Sequence, residues 1–254
     1  MEGLGWTWER AMAEWHFPTM AYELYYWTGI QGRGEYVRLA LEAASAEYHD
    51  VAREKGDGVI EALSGAVATP SYAPPFLKDG DVIVGQTSAI LLYLGDRLGL
   101  APQDERLRLW THQIQLTIAD FVNEAHDVHH PLGMGKYYEE QKQEALRRAE
   151  EFRTSRVPKF LQWFETVIGR NPERSGYLVG SRLSYADLSL FQALEGLHYA
   201  FPNLLSRIGP DYLLLLHLRE RVRKEERIAE YLASPRRLPP NESDLFRHYP
   251  ELDE

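Results

Sequence analysis

The sequence predicts a small mixed α/β domain followed by an all-helical domain, in a chain of 254 residues. Runs with the length and composition of strands occur only in the first hundred residues, where an Asp79-Gly80 pair joins two of them as in a β-hairpin. Farther along the chain, apolar residues recur at helical spacing over long stretches. We therefore expect an N-terminal extension over 1–21, the mixed domain over 22–100 and the helical domain over 104–254.

The elements of the mixed domain are expected in the order β-α-β, a segment of weak pattern, then β-β-α. The aromatic run 24–27 predicts the first strand, the apolar spacing of 37–44 a helix, and 48–51 a second strand. Residues 53–73 show little pattern. The run "PPFLKDGDVIV" predicts the hairpin, and "QTSAILLYLGDRLGL" a compact helix. In the extension, a short amphipathic helix is indicated by the spacing of Leu4, Trp8, Ala11 and Trp15.

In the second domain, helical spacing extends over four stretches, 104–128, 139–169, 184–198 and 218–232. The segment "YLVGSRLSYADLSLF" shows how the third of them begins. Ser184 can cap this helix, and Asp187, three residues later, can reach back to the amide of the cap residue. Such a capping box stabilises the fold and takes no part in chemistry.

Charge and composition argue against several classes of function. A net charge of −10 and a pI near 5.4 argue against nucleic acid or an anionic membrane as the partner. No apolar run reaches the ~18 residues of a transmembrane helix, and the N-terminus does not resemble a secretory signal. The chain has no cysteine, which excludes disulfides, cysteine nucleophiles and thiolate metal sites, and which fits a cytoplasmic location.

The segment "LYYWTGIQGRGEYVRLAL" places three glycines between the first predicted strand and the first predicted helix. Their order, G-I-Q-G-R-G, differs from the G-x-G-x-x-G of dinucleotide-binding folds, and no G-x-x-x-x-G-K-[ST] phosphate loop is present. The glycines therefore do not predict a nucleotide site.

Two further segments together predict a pocket for a small extended peptide with a free carboxylate. In "SYAPPF", Pro74 precedes a predicted strand, and a cis bond there would expose the backbone of Ala73 to a peptide-like ligand. Gln86 and Thr87 begin a helix, whose N-terminus favours a carboxylate. Taken alone, Thr87 or Ser88 would be explained as a helix cap.

With these residues assembled, the chain resembles the cytosolic glutathione S-transferases over residues 22–232. "YYWTGIQGRGEYVRLAL" is similar to their first strand, catalytic loop and first helix, "APPF" to the strand they enter through a cis-proline, and "GQTSAILLYLG" to their glutathione motif. "YLVGSRLSYADLSLF" is similar to the capping signature of their helical domain. The resemblance implies a thioredoxin-like domain followed by an all-α domain, with glutathione as the co-substrate.

Such an enzyme must hold glutathione as a thiolate, whereas an unperturbed thiol has a pKa of about 8.5. A hydrogen bond to the sulfur lowers that pKa, and family members use Tyr, Ser or Cys for this contact. The resemblance implies that Tyr26, with Trp27 beside it, is the catalytic residue, and Thr28 is the alternative. Neighbouring strand residues point to opposite faces, which assigns Tyr25 to the core. The loop is one residue longer than the mu-like pattern, and Gln31 replaces its arginine.

The resemblance also implies which residues hold the remainder of glutathione. Gln86 and Thr87 are expected to bind the γ-glutamyl end. The backbone of Ala73, next to Pro74, is expected to pair with the cysteinyl unit. Arg33, at the start of the first helix, is expected to add positive charge.

Three contacts are expected at the edges of this site. Lys55 or Arg53 would meet the glycine carboxylate, and Asp120 would reach across a homodimer to the amino group of the ligand. The segment "EAHDVHHPLGMGKYY" falls at the mouth of the electrophile pocket, where Tyr137 and Tyr138 would contact the second substrate.

The same segment contains three histidines, His126, His129 and His130, at helical spacing next to Asp127. Three interpretations remain open: a divalent metal site, a pocket lining with acid-base support in which His126 takes part, or an ordinary helix end before Pro131. We predict no metal.

The sequence thus predicts a cytoplasmic, homodimeric glutathione transferase of the tyrosine type. It would add the thiolate to a hydrophobic electrophile or reduce a peroxide. The alternative is a non-catalytic protein of the same fold that binds apolar ligands or a partner. A metal-dependent enzyme at the histidines is a third hypothesis.

Overall fold

The computed structural model describes residues 21–254. Its first part contains a four-stranded sheet with the spatial order β2-β1-β3-β4. The strands are β1 (Tyr22–Tyr25), β2 (Tyr48–Asp50), β3 (Phe76–Asp79) and β4 (Val82–Gly85). β1 and β2 run parallel, whereas β1 with β3 and β3 with β4 run antiparallel. The sequence pattern β-α-β followed by β-β-α is therefore confirmed, and the sheet is that of a thioredoxin-like domain.

Two helices cover one face of this sheet. α1 (Gly34–Ala43) connects the parallel pair of strands, and α4 (Thr87–Arg97) follows β4 and packs against α1. The segment 53–73 contains more structure than its pattern indicated, namely the two short helices α2 (Val51–Lys55) and α3 (Gly58–Ala66). Ile60 is the one side chain of α3 that is buried, which explains the weak apolar pattern.

The hairpin between β3 and β4 is confirmed, with its loop one residue later than the Asp79-Gly80 pair. Asp79 pairs with Val82, so the two loop residues are Gly80 and Asp81. Gly80 has a φ of 57°, the left-handed conformation that such tight turns require and that glycine adopts at little cost.

The rest of the described chain is helical or irregular. Its helices are α5 (Glu105–Asp127), α6 (Lys142–Glu151), α7 (Val157–Arg170), α8 (Tyr185–Ala200), α9 (Pro202–Ile208), α10 (Leu213–Lys224) and α11 (Glu226–Leu232). α5 and α8 pack along each other, and α1 contacts α8 and α11. A continuous hydrophobic core therefore extends from the sheet into the helices.

Two of the predicted long helices are interrupted. The stretch 139–169 divides into α6 and α7 at a π-helical turn over Phe152–Arg156. Pro158 lacks an N–H and cannot continue the ordinary hydrogen-bond ladder, which accounts for the interruption. The stretch 218–232 starts earlier, at Leu213, and is broken at Glu225, whose ψ of 127° is extended.

The capping box at the start of α8 is confirmed. The carboxylate of Asp187 accepts the N–H of Ser184 at 2.8 Å and its hydroxyl at 2.6 Å, and also the N–H of Leu178 at 2.8 Å. Burial raises the pKa of Asp187 to about 6, and these hydrogen bonds oppose the shift. Through these hydrogen bonds, Asp187 connects the loop that contains Leu178 to the start of α8.

The amphipathic helix predicted near the N-terminus lies outside the described residues and stays a prediction. Within 21–254, none of the helices combines the length and the apolar character needed to cross a bilayer. After α11 the chain turns back as a C-terminal tail, residues 233–254, which packs against both the helices and the loop after β1.

Candidate active site

A cavity of about 420 Å³ lies between the thioredoxin-like domain and helix α5. One wall is formed by the start of α1, by residues 72–75 and by 86–88; the other is formed by α5 residues between Gln115 and Asn123, together with Met134. Five of the residues selected from the sequence line it, namely Arg33, Ala73, Pro74, Gln86 and Thr87. The fold thus gathers segments that are separate in the chain into one site.

The turn from β4 into α4 places two of these residues at the cavity. Gln86 has a φ of 64° and a ψ of 119°, a conformation that is costly for a residue with a side chain. Backbone strain of this kind tends to persist where function requires it. Thr87 begins the helix, and its hydroxyl oxygen is buried without a hydrogen-bond partner. A ligand carboxylate at this helix N-terminus would supply the missing partner.

The cis peptide bond lies one residue later than expected. It joins Pro74 and Pro75, so the residue that precedes the cis-proline is Pro74 and not Ala73. Pro74 has no N–H, so its backbone offers a carbonyl acceptor but no donor to a peptide ligand. Ala73, which lines the cavity and is exposed, is the nearest residue on this strand entry that retains an N–H.

Tyr26 follows β1 and lies beneath the glycine-rich loop with 3% of its surface exposed. A Cβ on Gly32 would overlap the Tyr26 hydroxyl, and a Cβ on Gly34 would lie 2.6 Å from its ring. Gly32 also has a φ of 51°. The glycines are therefore needed so that the loop can close over the tyrosine ring.

The hydroxyl oxygen of Tyr26 accepts the backbone N–H of Arg33 at 2.8 Å. The hydrogen bonds formed within residues 21–254 leave the phenol proton free to donate. Burial raises the pKa of Tyr26, while the Arg33 amide opposes the shift and the charge of Asp244 adds to it. The phenol is therefore protonated near neutral pH and can act as a hydrogen-bond donor.

The hydroxyl of Thr28, the alternative to Tyr26, binds a different partner. The N–H of Thr28 and its hydroxyl both donate to the carboxylate of Asp57, at 3.1 and 3.4 Å. Tyr25 stacks on Phe76 inside the sheet core and donates to Glu23 at 2.5 Å. Of the hydroxyls considered on this strand and loop, Tyr26 alone contacts the start of α1.

Two further polar side chains at the cavity were not found from the sequence. Tyr36 is 3% exposed and Gln115 is 1% exposed, and both line the cavity. The Tyr36 hydroxyl and the Gln115 Oε1 have no hydrogen-bond partner. Tyr36 lies three residues after Arg33 on α1, and that spacing could have indicated a shared face. Nothing in the helical pattern of α5 marks Gln115.

Besides Tyr26 and Thr28, four of the selected residues do not line this cavity. Lys55 is exposed at the end of α2, and its alternative Arg53 pairs with Asp50 at 3.3 Å. Asp120 is exposed on α5, next to the cavity residue Ala119. Tyr137 is 80% exposed, and Met134 of the same loop lines the cavity in its place. The fourth, His126, belongs to a buried cluster.

The three histidines pack together at the end of α5. His126 and His130 stack with ring centroids 5.0 Å apart, and His129 packs edge-on against both. His129 Nε2 donates to the carbonyl oxygen of Leu245 at 3.0 Å, which leaves its Nδ1 as the acceptor for His130 Nδ1 at 2.6 Å. Burial lowers the pKa of His126 to about 4 and that of His129 to about 2, so both are neutral near pH 7.

The geometry of this cluster suits a hydrogen-bonded chain better than a metal site. Two ligand nitrogens at about 2.0–2.1 Å from a tetrahedral ion lie about 3.3 Å apart, which exceeds the 2.6 Å between His129 and His130. Arg33 and Arg247 also place positive charge near His126. We retain the prediction that the cluster needs no metal.

Comparison with known proteins agrees with the fold. Residues 126–235 match the model of the glutathione S-transferase C-terminal domain. Glutathione S-transferase P 1 of Xenopus laevis is 28% identical over 82% of this chain and 90% of the relative. Human glutathione S-transferase Mu 4 is 27% identical over 87% of this chain and 94% of the relative. The structure of the glutathione S-transferase from Ascaris lumbricoides superposes with a TM-score of 0.65, at 26% identity, over 87% of this chain and 100% of that one.

A thioredoxin-like domain joined to a helical domain, with a cavity between them at the start of α4, defines the class of protein. Its relatives and structural neighbours support a cytosolic glutathione S-transferase, and the chain is a glutathione transferase.

Proposed function

We propose that this chain activates glutathione through Tyr26 and transfers the thiolate sulfur to a hydrophobic electrophile. The class of enzyme follows from the family: the chain is a glutathione transferase, and glutathione is its co-substrate. The observation that carries the finer proposal is the Tyr26 hydroxyl, which a backbone N–H holds at the start of α1 beside the cavity residue Arg33.

The thiolate is stabilised by donors and positive charge at one end of the cavity. The free proton of Tyr26 donates to the sulfur, and Arg33 adds a positive charge whose guanidinium is held by Asn123 Oδ1 at 2.8 Å. Both interactions favour the charged form of the thiol and lower its pKa. The thiol proton passes to solvent, and the sulfur then forms the bond to carbon as the leaving group departs with its electron pair.

Binding of the tripeptide is supported by the other cavity residues. Thr87 and the N-terminus of α4 offer donors to the α-carboxylate of the γ-glutamyl unit, and Gln86 is held next to them. The backbone at Ala73 and Pro74 would pair with the cysteinyl unit, through the carbonyl of Pro74 and the N–H of Ala73. Lys55 stays a proposal for the glycine carboxylate.

The opposite wall supports an apolar second substrate. Ile118, Ala119 and Val122 on α5 line this wall together with Met134. The unpartnered Tyr36 hydroxyl and Gln115 carbonyl interrupt the apolar surface. An electrophile with one hydrogen-bonding group on an apolar body would satisfy both features. Reduction of a hydroperoxide at the same thiolate is a second activity that fits the site.

We further propose a cytoplasmic homodimer. Leu92 on α4 and Leu109 and Leu116 on α5 are exposed apolar side chains on the helices that border the cavity, and Tyr72 is 97% exposed. Exposed apolar surface of this kind is typical of an interface. Asp120, on the same helix, would then be presented to the site of a partner subunit. The cytoplasmic location rests on the absence of cysteine and on the family.

The direct test combines binding with turnover. Calorimetric titration should show glutathione binding, and a generic aryl halide should be conjugated when several electrophiles are tried. Binding without conjugation of any electrophile would favour a non-catalytic ligand-binding protein of the same fold. Lack of binding at millimolar glutathione would overturn the proposal.

A further inference from the structure

The C-terminal tail reaches the loop that covers Tyr26. The Asp244 carboxylate accepts the backbone N–H of Gln31 at 3.0 Å and that of Gly32 at 2.9 Å. Asp244 is 8% exposed, and the N–H of Leu245 donates to the same carboxylate at 2.6 Å. A buried carboxylate therefore occupies the concave surface that two successive loop amides form.

The tail also holds the loop through other groups. The Gln31 side chain donates to the tail carbonyl oxygen of Leu238 at 2.5 Å, and it also accepts from Gln192 of helix α8 at 2.8 Å. Asn241 donates to the carbonyl oxygen of Gly29 at 2.9 Å. Gln31 stands where the mu-like pattern has arginine, and its neutral amide is suited to this bridging position. The tail residues involved lie beyond residue 235, where the family-model match ends.

The loop in turn fixes the catalytic hydroxyl. The amide that holds Tyr26 belongs to Arg33, the residue directly after the Gly32 amide that Asp244 holds. If Asp244 no longer accepted both amides, two buried donors would lose their partner, and the loop would have to move to satisfy them. Such a movement would displace the Arg33 N–H from the Tyr26 oxygen.

We propose that Asp244 is a positioning residue for thiol activation: it fixes the loop amides so that the Arg33 N–H orients the Tyr26 hydroxyl toward the sulfur. This proposal rests on the function proposed above. The active site is then complete only when the C-terminal tail is docked, and the tail is a functional part of the enzyme.

The chain offers a matched control on the same tail. Asp253 is fully buried, and its carboxylate accepts two successive amides, those of Asn203 at 2.7 Å and Leu204 at 3.0 Å, at the start of α9. Asp244→Asn and Asp253→Asn therefore remove the same kind of interaction. Only the first removes it from the catalytic loop.

The test measures three properties of both variants and of the unaltered protein. These are amide hydrogen exchange by mass spectrometry, the pH dependence of the thiolate absorbance of bound glutathione, and kcat and KM for conjugation. Asp244→Asn should speed exchange in residues 29–34, raise the pKa of the bound thiol by about one unit and lower kcat about tenfold at a pH below that pKa. The KM for glutathione should change much less, because the contacts of Thr87 and Ala73 remain. Asp253→Asn should speed exchange at the start of α9 and leave the thiol pKa unchanged.

Equal thiol pKa values in the two folded variants, both matching that of the unaltered protein, would overturn the proposal and leave Asp244 a structural residue. If Asp244→Asn does not fold, Asn241→Ala loosens the same loop through an exposed contact and should shift the thiol pKa in the same direction by less. An unaltered protein without a thiolate signal would refute the proposed function instead, and the exchange data would still report whether Asp244 controls the loop.

Discussion

The backbone N–H of Arg33 donates to the hydroxyl oxygen of Tyr26 at 2.8 Å. This hydrogen bond joins the end of the first strand to the start of the first helix across the glycine-rich loop. It orients a buried phenol without consuming its proton. The hydrogen bonds within residues 21–254 give this proton no acceptor, so it remains available to a ligand.

Replacement of Tyr26 by phenylalanine should impair activation of the thiol. A hydrogen bond to a charged acceptor contributes about 1.5–3 kcal/mol, so the pKa of the bound thiol should rise by about 1–2 units. Conjugation near neutral pH should fall roughly 10- to 100-fold if chemistry limits the rate, while glutathione affinity changes little. Thr28→Val serves as the control, since its hydroxyl is bound to Asp57. Full activity of Tyr26→Phe together with loss of activity in Thr28→Val would assign the sulfur contact to Thr28.

Tyr36→Phe should behave differently from Tyr26→Phe. Burial raises the pKa of Tyr36, and its hydroxyl has no partner, so removing it should leave the free energy of unfolding unchanged or raise it by about 1 kcal/mol. The thiol pKa should stay the same, and the KM for polar electrophiles should rise. Denaturant unfolding and a panel of electrophiles measure both effects. A raised thiol pKa in Tyr36→Phe alone would transfer the catalytic role to Tyr36.

Thr87→Val should weaken glutathione binding by about 1–3 kcal/mol, because a charge-assisted hydrogen bond to the ligand is lost. Stability without ligand should not fall, since the Thr87 hydroxyl oxygen has no partner within the described protein. Thr117→Val is the matched control, because its hydroxyl donates to the carbonyl of Gln113 on α5. Calorimetry reports the affinity, and equal binding by the two variants would remove Thr87 from the site.

The proposed assembly predicts a particle of twice the 29.3 kDa chain mass in light scattering at micromolar concentration. Asp120→Asn should weaken glutathione binding without changing that mass, because the carboxylate would act on the site of the partner subunit. Asp81→Asn, at the exposed hairpin tip, should alter neither property. A monomeric mass would contradict both the dimer and the role of Asp120.

Stability should decrease on acidification through the histidine cluster. The folded pKa of His126, about 4, is depressed below the ordinary value of 6.5, so the unfolded chain binds more protons between these values. The contribution of neutral His126 to the free energy of unfolding is complete above pH 6.5. It is lost as the pH falls from there through about 4, and His126 alone accounts for about 3 kcal/mol. Denaturant unfolding of His126→Gln should show a flatter pH dependence over this window. His49→Gln, whose side chain is 58% exposed, should follow the unaltered protein.

Local sequence signals determined much of the fold. The hairpin, the α8 capping box and the helix periods each depend on residues within a few positions of one another, where side-chain geometry acts directly on the backbone. Gln86 and Thr87 could be predicted as binding residues for the same reason, because the end of a strand and the start of a helix are adjacent in the chain there. Helices α2 and α3 were missed because they are short and bury few residues, so packing rather than local pattern stabilises them.

Tertiary structure alone decided how the site is enclosed. The Asp244–Gly32 hydrogen bond joins residues 212 positions apart, and the bond between Gln192 and Gln31 spans 161 positions. The unpartnered Tyr36 and Gln115 meet only because α1 and α5 border one cavity. No periodicity encodes such contacts, since they form when separate elements pack and each buried polar group finds a partner or faces a ligand site. The sequence by itself therefore predicted the family and the candidate glutathione-binding residues. Packing decided which polar side chains line the cavity and that the tail holds the loop after β1.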